Sequence, residues 1–291
     1  MTLLLALLLA TSTTIPDLEY ASPNGKPLLM DLRIPDGAGP HPVILYLHSG
    51  AWITGDRTGG PALRQVARGY AVASIEYRLA PDARWPSQIE DCKAAVRWLR
   101  ANAARFHLDP NRIAVFGTSA GGHLAAVLGT SGGADALEGV ELGNPQFSSR
   151  VQAVIDLYGP TDLLLLEEQK LPCIPLNANS PNMPPSLLMG CPIQQCKEKT
   201  QTANPLTYIT RDDPPFLIMH GQQDCLVPWK QSVILDDALR AGGVESHLYL
   251  LADGEHGGRA FDAPQYEKIV DDFLDQKLKA PRIIVKRRAV R

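Results

Sequence analysis

The sequence lacks the features that define several broad classes of protein. It has no long apolar run. The most apolar stretch, residues 1–10, is too short to span a bilayer, which takes about 20 residues. It also lacks a strong charge of either sign. Lys and Arg number 28 against 31 Asp and Glu, and a net charge of −3 leaves no electrostatic footprint for nucleic acid. Cysteine is scarce, with five in the chain. Cys173, Cys191 and Cys196 share one loop-rich segment, but no His lies inside it and the spacing fits no standard zinc site. A disulfide among these three would agree with an exported protein, and reduced thiols are the alternative.

What is present is alternation. With 291 residues the chain can bury one large core. Short apolar, β-branched runs at 42–48, 70–75, 112–116, 151–158, 215–220 and 246–251 read as strands. Between them lie helical patterns, around 61–68, from Pro86 to near Phe106, around 229–241 and near 264–276. Residues 17–34, split by Pro23-Asn24-Gly25, read as an antiparallel hairpin at a sheet edge. Such alternation predicts an α/β fold with a mostly parallel, doubly wound sheet. One stretch breaks it. Residues 161–205 hold seven prolines and three cysteines and are too long for a plain connection, so they are expected to form a lid or cap insertion.

The termini stand apart from this domain, which is expected to run over 15–276. Residues 1–14 read as a secretory signal or a disordered start. No Lys or Arg precedes their apolar stretch and no clean cleavage site follows, so export and a cytoplasmic location are both open. Residues 277–291 carry seven Lys and Arg and no acid. That +7 leaves −10 on the remaining 276 residues, and the segment reads as a solvated basic tail.

The chemistry centres on Gly117-Thr118-Ser119-Ala120-Gly121-Gly122, a G-x-S-x-G run. By itself the pattern arises by chance in Gly-rich loops. Here a strand precedes it and an Ala-rich helix follows, the setting of a nucleophile elbow that presents Ser119 on a sharp turn. A serine hydroxyl needs a base within hydrogen-bond reach. Of seven histidines, His41, His107 and His247 fall in a turn, near a helix end and within a strand. His123 lies on the elbow helix and faces away. His220 closes a buried strand, where a structural hydrogen bond suits it better. His256, in Gly254-Glu255-His256-Gly257-Gly258 after the last strand, is the expected base. Asp224, just past the strand at 215–220, is the expected orienting carboxylate. Asp253 competes, but it shares a loop with His256 and is poorly placed to brace the ring from the far side. The order Ser119, Asp224, His256 is that of an α/β-hydrolase. His48-Ser49-Gly50-Ala51-Trp52 follows a buried strand, where an open sheet places its ligand site. His48 reads as a residue that braces this loop.

These residues resemble the α/β-hydrolase superfamily of serine esterases, and within it the group that includes bifunctional feruloyl and acetyl-xylan esterases. The likeness covers residues 15–276. It rests on the elbow, the triad order, the H-S-G-A-W run at 48–52, Glu76-Tyr77-Arg78-Leu79, Tyr158-Gly159-Pro160-Thr161-Asp162, Asn204-Pro205-Leu206-Thr207-Tyr208 and His220-Gly221-Gln222-Gln223-Asp224. Ser49 stands where the group's H-G-G-x-W loop has its first Gly, which puts a positive φ there in question. The resemblance implies acyl transfer from an ester to water, with Ser119 as nucleophile, His256 as base and Asp224 orienting it. The amides of Ala120 and of Gly50 or Ala51 would hold the oxyanion, Trp52 would line the pocket, and no metal or organic cofactor is needed. The implied partner is a small-molecule or polymer-borne ester. A lipase-like carboxylesterase, a polyester hydrolase and an arylformamidase share the scaffold. A non-catalytic, hydrolase-like binding protein is the reading of another class.

Overall fold

In a computed structural model, residues 12–173 and 177–279 are described. Of the expected signal or disordered start, residues 1–11 lie outside them, but Ser12, Thr13 and Thr14 belong to the first strand and pair with Pro35, Ile34 and Arg33, so the domain begins earlier than 15. Of the expected basic tail, 280–291 lie outside them, while Lys277 and Lys279 extend the last helix and pair with Glu245 and Asp275. Eight strands form a single sheet: β1 (Ser12–Ala21), β2 (Leu28–Pro35), β3 (His41–Leu47), β4 (Ala71–Ile75), β5 (Leu108–Thr118), β6 (Ala153–Leu157), β7 (Phe216–Gly221) and β8 (Ser246–Leu251). Their order is β1-β2-β4-β3-β5-β6-β7-β8. The β1–β2 hairpin pairs antiparallel at one edge, and β2 pairs antiparallel with β4. From β4 onward every pairing is parallel, as the continuous apolar runs require.

Helices cover both faces, so the sheet is doubly wound. On one face α1 (Ser87–Ala101), α2 (Ala120–Thr130) and α6 (Lys230–Ala241) bury Ile89, Val96, Leu124, Leu235 and Leu239 against inward residues of the strands. On the other, α7 (Pro264–Leu274) and the 3-10 segment Pro61–Arg68 pack Val270, Phe273 and Ala62 against Ile44, Phe116 and Ile155. Fully burying a side chain of this kind stabilises by about 1.5–3 kcal/mol.

Other boundaries also differ from the sequence reading. The stretch 61–68 is 3-10 rather than α-helical. Helix α1 stops at Ala101, and 102–107 turn back toward the sheet. Strand β5 begins at Leu108, because Asp109-Pro110-Asn111, which reads as a turn, is absorbed as a register shift between His41 and Val43 on β3. Among the described residues, 161–205 contain only short elements, among them α3 (Leu166–Gln169), α4 (Pro184–Met189) and α5 (Lys197–Gln201). Two disulfides hold this region. Cys191–Cys196 closes a local loop, whereas Cys173 reaches out of the segment to Cys225. The expected pairing among Cys173, Cys191 and Cys196 therefore holds for two of the three. Cys92 is a free thiol packed in the core.

Candidate active site

The elbow is built by close approach of backbone. Ser119 follows the last residue of β5 with φ +53° and ψ −118°, a strained combination for a residue with a Cβ. The turn closes because Gly117 and Gly121 have no side chains. A Cβ on Gly117 would meet the Gly121 carbonyl oxygen at 1.9 Å, and one on Gly121 would meet the Leu47 carbonyl oxygen at 2.1 Å. The Ser119 amide donates to Leu157 O at 2.9 Å, which ties the elbow to β6.

The connections after β5, β7 and β8 bring the predicted triad together. The Ser119 hydroxyl donates to His256 Nε2 at 2.8 Å. The other ring nitrogen, Nδ1–H, donates to Asp224 Oδ2 at 2.7 Å. Tyr158 meets the His256 ring edge-on, with centroids 4.9 Å apart. The carboxylate itself is buried. Its Oδ1 accepts from the Leu226 and Val227 amides at 2.8 and 2.9 Å. Burial pushes the Asp224 carboxyl up, but hydrogen bonds from His220 and His256 outweigh it and hold it down at about 2. Asp253, the rival carboxylate, is exposed and makes no hydrogen bond to His256 among the described residues.

The loop after β3 takes three positive φ values in succession: Gly50 (118°), Ala51 (52°) and Trp52 (61°). Ser49 is not among them, so its Cβ is accommodated without that strain. At Gly50 a Cβ would strike the Thr54 carbonyl oxygen at 2.0 Å. Ala51, Trp52 and Ala120 line the cavity beside Ser119, and Gly50 does not. His48 braces the loop as read. Its Nδ1–H donates to Ser49 O at 2.6 Å, its ring stacks on Tyr77 at 4.2 Å, and its carbonyl accepts from the Tyr77 hydroxyl. His123 points away from Ser119, donating Nε2–H to Ala203 O at 2.7 Å, and burial pushes its imidazole down to about 4.

The cavity over Ser119 has a volume of about 200 Å³ and a mostly apolar lining. Its far wall comes from Leu166, Glu167, Lys170, Ala178, Met183, Pro184 and Pro185 of the insertion, which the sequence reads as a lid or cap without singling out residues, and from Cys225, Leu226, Val227 and Pro228 of the loop after Asp224, to which sequence reasoning gave no such role. No periodicity marks them, because they converge only through tertiary packing. Sequence reasoning also gave His220 no part in the site, yet it hydrogen-bonds Asp224. Among the described residues, no group of three or more His, Cys, Asp or Glu is placed to hold a metal ion, and no helix is long and apolar enough to cross a membrane.

The chain has relatives in sequence and in fold. Esterase LipC of Mycobacterium tuberculosis is 37% identical over 77% of this chain and 54% of its own length. Esterase LipQ of the same organism is 33% identical over 89% of this chain and 61% of its own. The chain thus spans between half and two thirds of the length of these relatives. Among solved structures, a truncated carbohydrate esterase from gut microbiota superposes with a TM-score of 0.82 at 28% identity, covering 93% of this chain and 97% of that one. The sheet with its flanking helices is that of an α/β-hydrolase, and with residues 30–239 matched by the BD-FAE family model, the chain belongs to the BD-FAE family.

Proposed function

We propose that this chain is a serine carboxylic-ester hydrolase that works through an acyl-enzyme on short-chain or aryl esters. The observation that carries the reading is the unbroken line of hydrogen bonds from Ser119 through His256 to Asp224, 2.8 and 2.7 Å long. As Ser119 Oγ attacks the ester carbonyl carbon, His256 Nε2 takes its proton and Asp224 stabilises the resulting imidazolium. The carbonyl oxygen becomes an oxyanion held by the amides of Ala120, at the start of α2, and Ala51. Each such donor is worth about 10²–10³ in rate. His256 then gives the proton to the departing alkoxide, leaving an acyl group on Ser119. In the second half, water attacks the acyl carbon, gives its proton to His256, and the proton returns to Ser119 as the acid leaves.

The size of the cavity supports the substrate class. At about 200 Å³ it falls below the ~300–1,000 Å³ of sites that enclose drug-sized ligands. It suits an acetyl-sized to aryl acyl group better than a long lipid chain. The insertion 161–205 acts as the lid that sets this limit, since its residues form the far wall. The two disulfides support action in an oxidising compartment. A panel of p-nitrophenyl esters from acetate to palmitate, with methyl ferulate and acetylated xylan, tests the reading. Highest kcat/KM on the shortest esters with turnover of ferulate or xylan supports it. Rates that rise toward the long chains move the protein to the lipase-like carboxylesterases. A fluorophosphonate that leaves Ser119 unlabelled removes it from the serine hydrolases.

A further inference from the structure

His220 closes β7, four residues before Asp224, and is fully buried. Its Nε2 lies 3.1 Å from Asp224 Oδ2 and 2.9 Å from Val227 O. A carbonyl and a carboxylate can only accept, so Nε2 carries the hydrogen and donates to both. The opposite nitrogen, Nδ1, is 2.6 Å from the Ser232 hydroxyl on α6. The ring is therefore fixed at both ends by the β7–α6 scaffold. The same oxygen, Asp224 Oδ2, also accepts from His256 Nδ1. One carboxylate oxygen thus serves two imidazole N–H groups. One is locked in the core, and the other belongs to the half-buried residue on the loop after β8.

We propose that His220 is a positioning residue of the triad, acting through Asp224; this rests on the esterase reading above. It holds Oδ2 in place before the loop of His256 arrives, and it shares the charge that would otherwise fall wholly on His256. A carboxylate already engaged by a fixed donor grips the imidazolium less strongly, so His256 returns its proton to the leaving alkoxide more readily. The other titratable groups around the site are Tyr158 against the His256 ring, Asp262 beside Tyr158, Glu167 and Lys170 on the cavity wall, and Asp253 and Glu255, exposed on the His256 loop. Among the described residues Asp224 accepts from four N–H groups, two of them imidazole and two backbone, and His220 is the one that is both a side chain and immobile.

The test is the pH dependence of kcat/KM on p-nitrophenyl acetate for His220→Leu, His220→Gln and Ser232→Ala, with melting curves for each. A hydrogen bond to a charged group corresponds to about one to two pH units, and only part of it is transmitted through Asp224 to His256, so His220→Leu is expected to move the midpoint of the acid limb upward by about half to one unit. It should also lower kcat about tenfold with KM nearly unchanged. His220→Gln can present an N–H at the same reach and should bring the midpoint back to the wild-type value. A folded His220→Leu whose midpoint stays in place, or a His220→Gln that moves it as far as Leu does, overturns the proposal. If His220→Leu does not fold, Ser232→Ala decides. Its ring is freed at one end, so a smaller upward shift is expected and an unmoved midpoint overturns the proposal. A wild-type protein without esterase activity sinks the esterase reading instead, which keeps the two failures distinct.

Discussion

In the proposed mechanism Ser119 concentrates the chemistry in one oxygen atom. Replacing it with Ala removes the nucleophile and leaves the elbow backbone in place. Ser119→Ala should therefore lose about 10⁶-fold in kcat while its Tm stays within about 2 °C of the wild type. A folded variant that keeps most of its activity would sink the mechanism. A second residue with a distinct signature is Asp156, at the end of β6 and fully buried. Its Oδ1 accepts from the Gly159 amide at 2.9 Å, and Oδ2 has no hydrogen-bond partner among the described residues. Burial pushes this carboxyl up to about 7, although the Gly159 bond opposes it. The folded state therefore binds the proton more tightly than the unfolded chain does. Stability falls as pH rises from about 4 to about 7, by up to about 4 kcal/mol. Asp156→Asn carries no charge to bury, so it should melt higher than the wild type at pH 8 and equal to it at pH 4. Thermal melts across that range check the sign, and a variant no more stable at pH 8 contradicts it.

At the scale of elements, the insertion is held to the hydrolase core by a covalent staple. Cys173–Cys225 closes 52 residues and Cys191–Cys196 closes 5. Loop-closure entropy makes the first worth about 4 kcal/mol and the second about 2 kcal/mol. The double variant Cys173→Ser/Cys225→Ser should thus cost about twice the stability of Cys191→Ser/Cys196→Ser in denaturant titrations. Equal losses would show that unfolded-state entropy is not what these bonds supply. Since Cys225 follows Asp224 directly and both it and the insertion line the cavity, the first pair should also alter acyl-chain preference, and the second should not. Mass mapping without reductant checks the pairing itself. The Cys191–Cys196 bond falls within the sequence reading, but the Cys173–Cys225 bond does not. Cys225 sits in a loop that reads as part of the acid's turn, and its partner lies across a Pro-rich segment without periodicity.

Over the whole molecule, the legible part is the part where local chemistry and global fold agree. Buried parallel strands must be continuous apolar runs, so β3 to β8 stand out in the sequence, as do the helices that cover them. The triad was readable for a related reason: each member follows a strand, and the sheet brings strand ends to one edge. Where structure depends on packing between distant segments, the sequence is silent. The bulge in β5 looks like a turn because Asp109-Pro110-Asn111 has turn composition. His220 looks like a strand-closing core residue, because nothing in a linear string says that it and His256 meet at one carboxylate oxygen.

The strand order has a consequence for how this protein fails. The loop that carries His256 follows β8, which is the outermost strand and pairs with β7 alone. Ser119, by contrast, follows β5 in the middle of the sheet. Edge elements open at lower free energy than central ones. Loss of turnover should therefore precede loss of circular dichroism as urea is added, and the gap between the two midpoints measures the fraying of a single edge. On the proposed mechanism, turnover is a gauge of one margin of the sheet rather than of the sheet as a whole.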